Sequence, residues 1–194
     1  ISLLFFVSGC GKYTENDAIR DFENKIKKVN AYKLSGILEI VNNDDVYNYN
    51  VEVSYKKENY YKVCLTNIAN NHSQIILKNK DGVYVLTPSL NQVYEFKGSW
   101  PMNSPKPYIY QSMLDFENID HELKEVDGGY LISSKPNFDN KIQWSTQEIK
   151  FDKEYKPEYL NIYDTKNNLA LNLNIRKLEI NKDFEDDYFN VDAS

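Results

Sequence analysis

Histidine and cysteine, which often serve as metal ligands and in nucleophilic catalysis, are rare in this sequence and do not cluster along the chain. The two histidines are His72, in a polar turn, and His121, beside Glu122. His121-Glu122 resembles the start of a zinc-protease helix, but the second histidine of that motif is missing. Cys64 alternates with apolar neighbours in a strand-like run, which is typical of a packed residue rather than a nucleophile. The sequence therefore predicts a non-enzymatic protein without a metal or cofactor.

Cys10 differs from these residues because its neighbours form a processing signal. An apolar run, Ile1–Val7, ends in Ser8 and Gly9, and polar residues follow the cysteine. A signal peptidase requires small residues before its cut, and the thiol is the atom that carries a lipid. We therefore expect residues 1–10 to be the remnant of a bacterial lipoprotein signal peptide, with Cys10 lipidated, and residues 11–194 to form one exported domain. The alternatives are a buried strand or the end of a transmembrane helix, although a span needs roughly 20 apolar residues.

The composition excludes one class of partner and favours one class of structure. A formal net charge of −6 and a pI near 5.0 leave no basic surface for nucleic acid. Sixteen tyrosines and nine phenylalanines, with only seven glycines, favour strands with one apolar face. With Cys10 lipidated, Cys64 is the only cysteine that remains, so we expect no disulfide within the domain.

The periodicity of the first half predicts a helix followed by an antiparallel meander. Apolar residues recur at three- and four-residue steps from Ala18 to Val29, and Thr14 is an N-cap candidate with Asp17 three positions later. From Tyr32 the period changes to two, and turns such as Asp81-Gly82 separate the predicted strands. These strands are residues 32–40, 47–55, 60–66, 74–78, 83–86 and 92–97.

The second half begins with an interruption and then returns to strands. Residues 98–107 hold three of the six prolines, and residues 108–116 have the pattern of a short helix. Trp100, Met102 and Tyr108 are the candidate lid or cavity residues of this segment. Strands are predicted at 130–133, 141–151 and 158–164, with a last long strand from residue 169. Its apolar residues change phase near Arg176-Lys177, which predicts a one-residue bulge there.

The order of several motifs resembles the outer-membrane lipoprotein carrier superfamily, which is LolA/LolB-like. The motifs are Asp81–Pro88, Glu148–Leu160, Tyr163-Asp164, Leu169–Ile180 and Phe184–Phe189. In that superfamily a strand ending in Phe-Asp turns through a proline, crosses a short strand and closes with a final strand and a Phe-containing tail. The resemblance covers most of residues 17–189. It implies an α+β fold in which a strongly curved antiparallel sheet, a half-barrel, has helices across its concave face.

Two functions follow from that resemblance. Within the superfamily the chain is most similar to the GerS germination lipoproteins of spore formers, which are non-enzymatic partners of a zinc-dependent N-acetylmuramoyl-L-alanine amidase. This implies a lipid-anchored activator of a spore cortex amidase, on the outer face of a bacterial membrane and facing the intermembrane cortex space. The second function is a lipid or lipoprotein carrier with an open apolar cavity on the concave face.

The last long strand supplies the candidate partner-binding residues. In the first hypothesis Leu169, Leu171, Leu173 and Ile175 offer main-chain hydrogen bonds to a partner, and Arg176 offers a forked contact to a carboxylate. Long strands with polar turns also allow a strand-swapped homodimer. The alternative is that this strand is internal and Arg176 is simply solvated.

Overall fold

A computed structural model describes residues 14–42, 45–58, 60–97, 120–136 and 144–193 of the chain. The first element is helix α1, Glu15–Ile26, and its start follows the predicted capping pattern. The Asp17 backbone N–H donates to the Thr14 hydroxyl, and the Thr14 backbone N–H donates to the Asp17 carboxylate at 2.9 Å. These reciprocal bonds satisfy donors that the first turn of a helix leaves unpaired. The backbone hydrogen bond from Thr14 also lowers the pKa of Asp17.

All the described strands belong to one curved antiparallel sheet that does not close on itself. The first six strands are β1 Ala31–Asn42, β2 Asp45–Lys56, β3 Tyr60–Asn67, β4 Ser73–Lys78, β5 Val83–Thr87 and β6 Gln92–Phe96. The other five are β7 His121–Val126, β8 Gly129–Ser134, β9 Trp144–Asp152, β10 Pro157–Asp164 and β11 Leu169–Ile180.

The strand order, β6-β5-β4-β3-β2-β1-β11-β10-β9-β8-β7, is two meanders joined at the centre. Consecutive described strands pair throughout each meander, and β1 and β11, the first and last strands, pair with each other to join the two. The predicted meander is thus confirmed, but β7 was not predicted. Its apolar signal is weak because Leu123 is its only buried residue and charged side chains surround it.

One face of the sheet, which we call the helix face, carries α1 and most of the core. Ala18 and Phe22 of α1 are 1% and 2% exposed and belong to a core cluster that includes strand residues of both meanders. The Phe22 and Phe151 rings lie 4.6 Å apart, edge to face. The single described helix agrees with part of the expected fold. The other expected helix, residues 108–116, lies outside the described residues.

The C-terminal segment, residues 181–193, packs on the opposite face and was not predicted to do so. Phe189 is 4% exposed and forms a second apolar cluster with Ile75, Leu77 and Leu86 of β4 and β5. The Asn79 side-chain amide donates to the Phe189 carbonyl at 3.0 Å. A tail that the sequence presents as polar and acidic is therefore part of the packed structure.

Replacing Tyr188 with phenylalanine should lower the free energy of unfolding by about 1–2 kcal/mol. The Tyr188 hydroxyl lies 3.0 Å from Ser54 Oγ, and Ser54 is only 2% exposed. Without the Tyr188 hydroxyl, the buried Ser54 hydroxyl loses its hydrogen-bond partner. The contact between Lys62 and the aromatic ring at residue 188 persists. Urea denaturation measures the change. Tyr47→Phe is the control, because Tyr47 is 41% exposed, and an equal loss in both variants would contradict the expectation.

Candidate partner-binding site

The candidate site is a β-bulge where β11 crosses β1. Ser35 pairs with Lys177 and Gly36 pairs with Ile175, so Arg176 is one extra residue in β11. A bulge of this kind places two residues of one strand opposite one residue of its neighbour and redirects a side chain. The one-residue bulge predicted from the phase change of the apolar residues is confirmed.

Gly36 is required at this bulge because the two backbones approach closely. A Cβ atom on Gly36 would lie 2.3 Å from the carbonyl oxygen of Asn174, a residue of β11. Contacts of this length do not occur between a side chain and a backbone atom, so any other residue forces the strands apart. The absence of a side chain at Gly36 therefore lets β1 and β11 keep the register that presents Arg176.

Ion pairs surround the bulge on β11 and the segment after it. Lys177 lies 3.2 Å from Glu179, and Lys182 lies 3.7 Å from the same carboxylate. The hydrogen bond from Lys177, with the charges of both lysines, holds the pKa of Glu179 below its usual value. Across the strands, Glu179 pairs in register with Lys33. The charges of Lys177, Glu179 and Lys182 are therefore paired within the chain.

Lys33 extends this charged network toward β2. Its ammonium group lies 3.2 Å from the Glu52 carboxylate. Burial acts to lower the pKa of Lys33, but the hydrogen bond to Glu52 and the nearby charges of Tyr188, Glu52 and Glu179 raise it overall. The lysine is consequently charged at neutral pH and held by its carboxylate partners.

Arg176 is exposed and, unlike these lysines, pairs with no carboxylate among the residues that the structure describes. A guanidinium group carries five N–H donors in a planar fork, which matches the two oxygens of a carboxylate. The site is therefore chemically suited to an acidic side chain on another molecule.

A shallow basic groove lies farther along, where β11 ends. It measures about 450 Å³, and Lys56, Lys57 and Lys182 contribute three cations against the two anions Glu58 and Asp183. The rings of Tyr60 and Phe184 supply apolar surface to the groove. Since Lys182 also contacts Glu179, the groove and the bulge belong to one surface of local positive charge on an acidic chain.

The main chain of β11 is not available in the way that one hypothesis expected. The strand lies between β1 and β10 and pairs with both. Leu171 and Leu173 are each 1% exposed in the core, while Leu169 and Ile175 are half-buried. A partner cannot add a strand beside Leu169–Ile175 while both neighbours are in place. Of the five candidate residues, only Arg176 is exposed.

Several other sequence-based candidates lie outside the described residues. Cys10, the predicted lipidation site, is one, and the predicted lid residues Trp100, Met102 and Tyr108 are the others.

No helix of the described part of the chain is long and apolar enough to span a membrane. Within the same residues, no three His, Cys, Asp or Glu side chains are placed to hold a metal ion. Cys64 is half-buried and contacts the cluster under the C-terminal segment.

Three tyrosine rings pack together on the helix face. Tyr55 lies 5.3 Å from Tyr32 and 4.9 Å from Tyr61, measured between ring centroids.

Gln147, 2% exposed, donates to the Ser134 hydroxyl at 3.4 Å, and its amide oxygen has no hydrogen-bond partner among the residues described. Sequence reasoning missed this buried polar pair, because a single glutamine in a strand carries no distinguishing signal.

Comparisons with known proteins find one similar curated sequence and several solved structures of similar fold. No family model matches the sequence. The chain is 32% identical over 189 residues to the sporulation protein YdcC of Bacillus subtilis (strain 168), covering 96% of this chain and 56% of that protein. It therefore spans just over half the length of the curated relative it matches.

Solved structures with the same architecture include an uncharacterized conserved protein of Thermus thermophilus. It is 8% identical over 91% of this chain and 93% of that chain, with a TM-score of 0.56. The curved antiparallel sheet that the predicted resemblance to LolA/LolB-like proteins implies is confirmed. A LolA superfamily protein of Nitrosomonas europaea matches at 13% identity over 92% and 98% of the two chains, with a TM-score of 0.46. The GerS lipoprotein of Clostridioides difficile, in complex with the CwlD amidase, matches at 23% identity over 89% and 95%, with a TM-score of 0.43.

Proposed function

We propose that this chain is an exported, lipid-anchored sporulation protein that acts by binding a cell-wall amidase, with the surface around Arg176 as its contact. The exposed guanidinium at the β11 bulge is the observation that carries the proposal. At this bulge one exposed cation without a described carboxylate partner lies beside lysines that have one, which leaves its N–H donors open to an acidic group of another molecule.

The sporulation assignment is supported by the 32% identity to a sporulation protein over nearly the whole chain. The apolar run before Cys10 supports export and anchoring, because small residues precede a cysteine at its end. The amidase is proposed from the sequence resemblance to GerS lipoproteins. GerS is in complex with the CwlD amidase in its solved structure, which identifies the class of enzyme to test.

The described residues supply binding groups for such a partner. Arg176 would donate two parallel N–H bonds to one carboxylate of the amidase. Lys56, Lys57 and Lys182 of the nearby groove would attract acidic groups during the encounter and set the salt dependence of binding. The lipid on Cys10 would keep the bound amidase close to the membrane.

Mixing the chain with a zinc-dependent N-acetylmuramoyl-L-alanine amidase should give a stable complex and increase cleavage of cortex peptidoglycan. Co-purification measures the first effect, and release of stem peptide with and without the chain measures the second. The amidase alone, loaded with zinc, is the control for intrinsic activity. A set of candidate amidases that neither bind the chain nor respond to it would contradict the proposal.

A further inference from the structure

The described sheet ends in two strands of different character. β6 and β7 are the outermost of the described strands, and each pairs with one other described strand, β5 and β8 respectively. An edge strand presents a row of N–H and C=O groups that can pair with another chain. Natural proteins protect such edges with charged side chains, prolines or bulges, so the two edges can be compared for these features.

β7 is protected by charge. Glu122, Lys124 and Glu125 are exposed along a strand of six residues, and Leu123 is its only buried side chain. Charged side chains at these positions must be desolvated if a second strand approaches. β7 therefore resists pairing with another chain.

β6 carries less of that protection, because Glu95 is its one charged residue. Val93 and Tyr94 are 51% and 57% exposed in the strand, and Leu90, in the turn just before it, is 59% exposed. These are three of the seven large hydrophobic side chains that are exposed among the described residues. The register of β6 with β5 is regular, without a bulge, and the strand contains no proline. It is therefore an apolar, regular edge of the kind that pairs.

We propose that β6 is a self-association edge, through which two copies of this chain pair antiparallel about a two-fold axis and bury Leu90, Val93 and Tyr94. A strand that pairs antiparallel with its own copy needs no second complementary surface, since the interface is isologous. The local charge also allows two copies to approach through β6. The opposite charges of Glu95 and Lys97 leave this edge close to neutral, whereas two chains of net charge −6 repel each other elsewhere.

The protected edge determines the size of the assembly. With β6 occupied by its copy, the outer strand at each end of the joined sheet is β7, whose charges oppose a further pairing. The assembly therefore stops at a dimer of two eleven-stranded sheets rather than growing into a fibre. This dimer requires no exchange of strands, and it involves neither Arg176 nor the basic groove, so it is independent of amidase binding.

Sedimentation equilibrium of the full chain, from roughly 5 to 200 μM, tests the proposal. The wild-type chain should follow a reversible monomer–dimer equilibrium. The double variant Val93→Lys/Tyr94→Lys, which gives β6 the kind of charge that protects β7, should raise the dissociation constant at least about tenfold. Hydrogen exchange should show the β6 amides better protected at the higher concentration in the wild type.

Two controls make the result specific to this edge. Val46 and Ile68 are 52% and 45% exposed but lie on β2 and in the turn after β3, so Val46→Lys/Ile68→Lys should leave the equilibrium unchanged. Circular dichroism confirms that both double variants are folded. A wild type that is monomeric throughout overturns the proposal. A dimer that survives the β6 substitutions, as a strand-swapped dimer would, or that is lost equally in the control, overturns it as well.

Discussion

Replacing Gly36 with alanine is expected to lower the free energy of unfolding by roughly 3 kcal/mol or more. The new methyl group would be placed 2.3 Å from the Asn174 carbonyl oxygen. That oxygen belongs to the backbone of the neighbouring strand, so no rotamer change relieves the clash. β1 and β11 must separate, and this pair joins the two meanders at the centre of the sheet.

Gly82→Ala is the matched control for this variant. A Cβ atom at Gly82 meets the hydroxyl of Tyr84 at 3.4 Å, which is the far end of a side chain that can move. We expect this change to alter stability by less than about 1 kcal/mol. Urea denaturation of both variants gives the comparison. Equal losses would show that backbone entropy, rather than the close approach of β1 and β11, determines the need for glycine at residue 36.

The features that the sequence predicts correctly are those with a local cause. The capping pair Thr14 and Asp17 lies within one turn of helix, so its effect is complete without any distant contact. The bulge is predicted for a similar reason. A strand has a period of two, so a phase change between Ile175 and Leu178 can be accommodated only by an extra residue in between.

The features that were missed depend on contacts between distant parts of the chain. β11 is central because it pairs with β1, and nothing in the alternation of either strand specifies that partner. The segment Phe184–Phe189 has no helical or strand period, yet its rings pack on β4 and β5. β7 lacks an apolar stripe because an edge strand needs charge more than it needs burial.

The location of β11 also changes what the candidate site is. From the sequence, one hypothesis made the site a strand that a partner could extend, with an arginine at its end, and the alternative made the strand internal. In the folded chain the strand is already paired on both sides, and the arginine is the part that faces outward. The binding hypothesis therefore depends on a side chain rather than on main-chain hydrogen bonds, which makes it testable by single substitutions.

Arg176→Glu should weaken amidase binding at least about tenfold and leave the unfolding midpoint unchanged. The stability expectation follows from exposure, because Arg176 forms no ion pair with a described carboxylate whose loss would matter. The binding expectation follows from charge, since the variant replaces the guanidinium with a carboxylate that repels the carboxylate of the partner. Isothermal titration calorimetry with the amidase, and urea denaturation of the free chain, measure the two effects separately.

Two further variants separate the forked geometry of Arg176 from its charge. Arg176→Lys keeps the positive charge but loses the planar pair of donors, so it should bind between the wild type and Arg176→Glu. Lys166→Glu reverses an exposed charge in the turn between β10 and β11, at the opposite end of β11, and should bind as the wild type does. If Lys166→Glu weakens binding as much as Arg176→Glu, long-range attraction between net charges is responsible. If Arg176→Glu binds normally, the bulge displays an arginine that only water contacts, and the partner must use another surface.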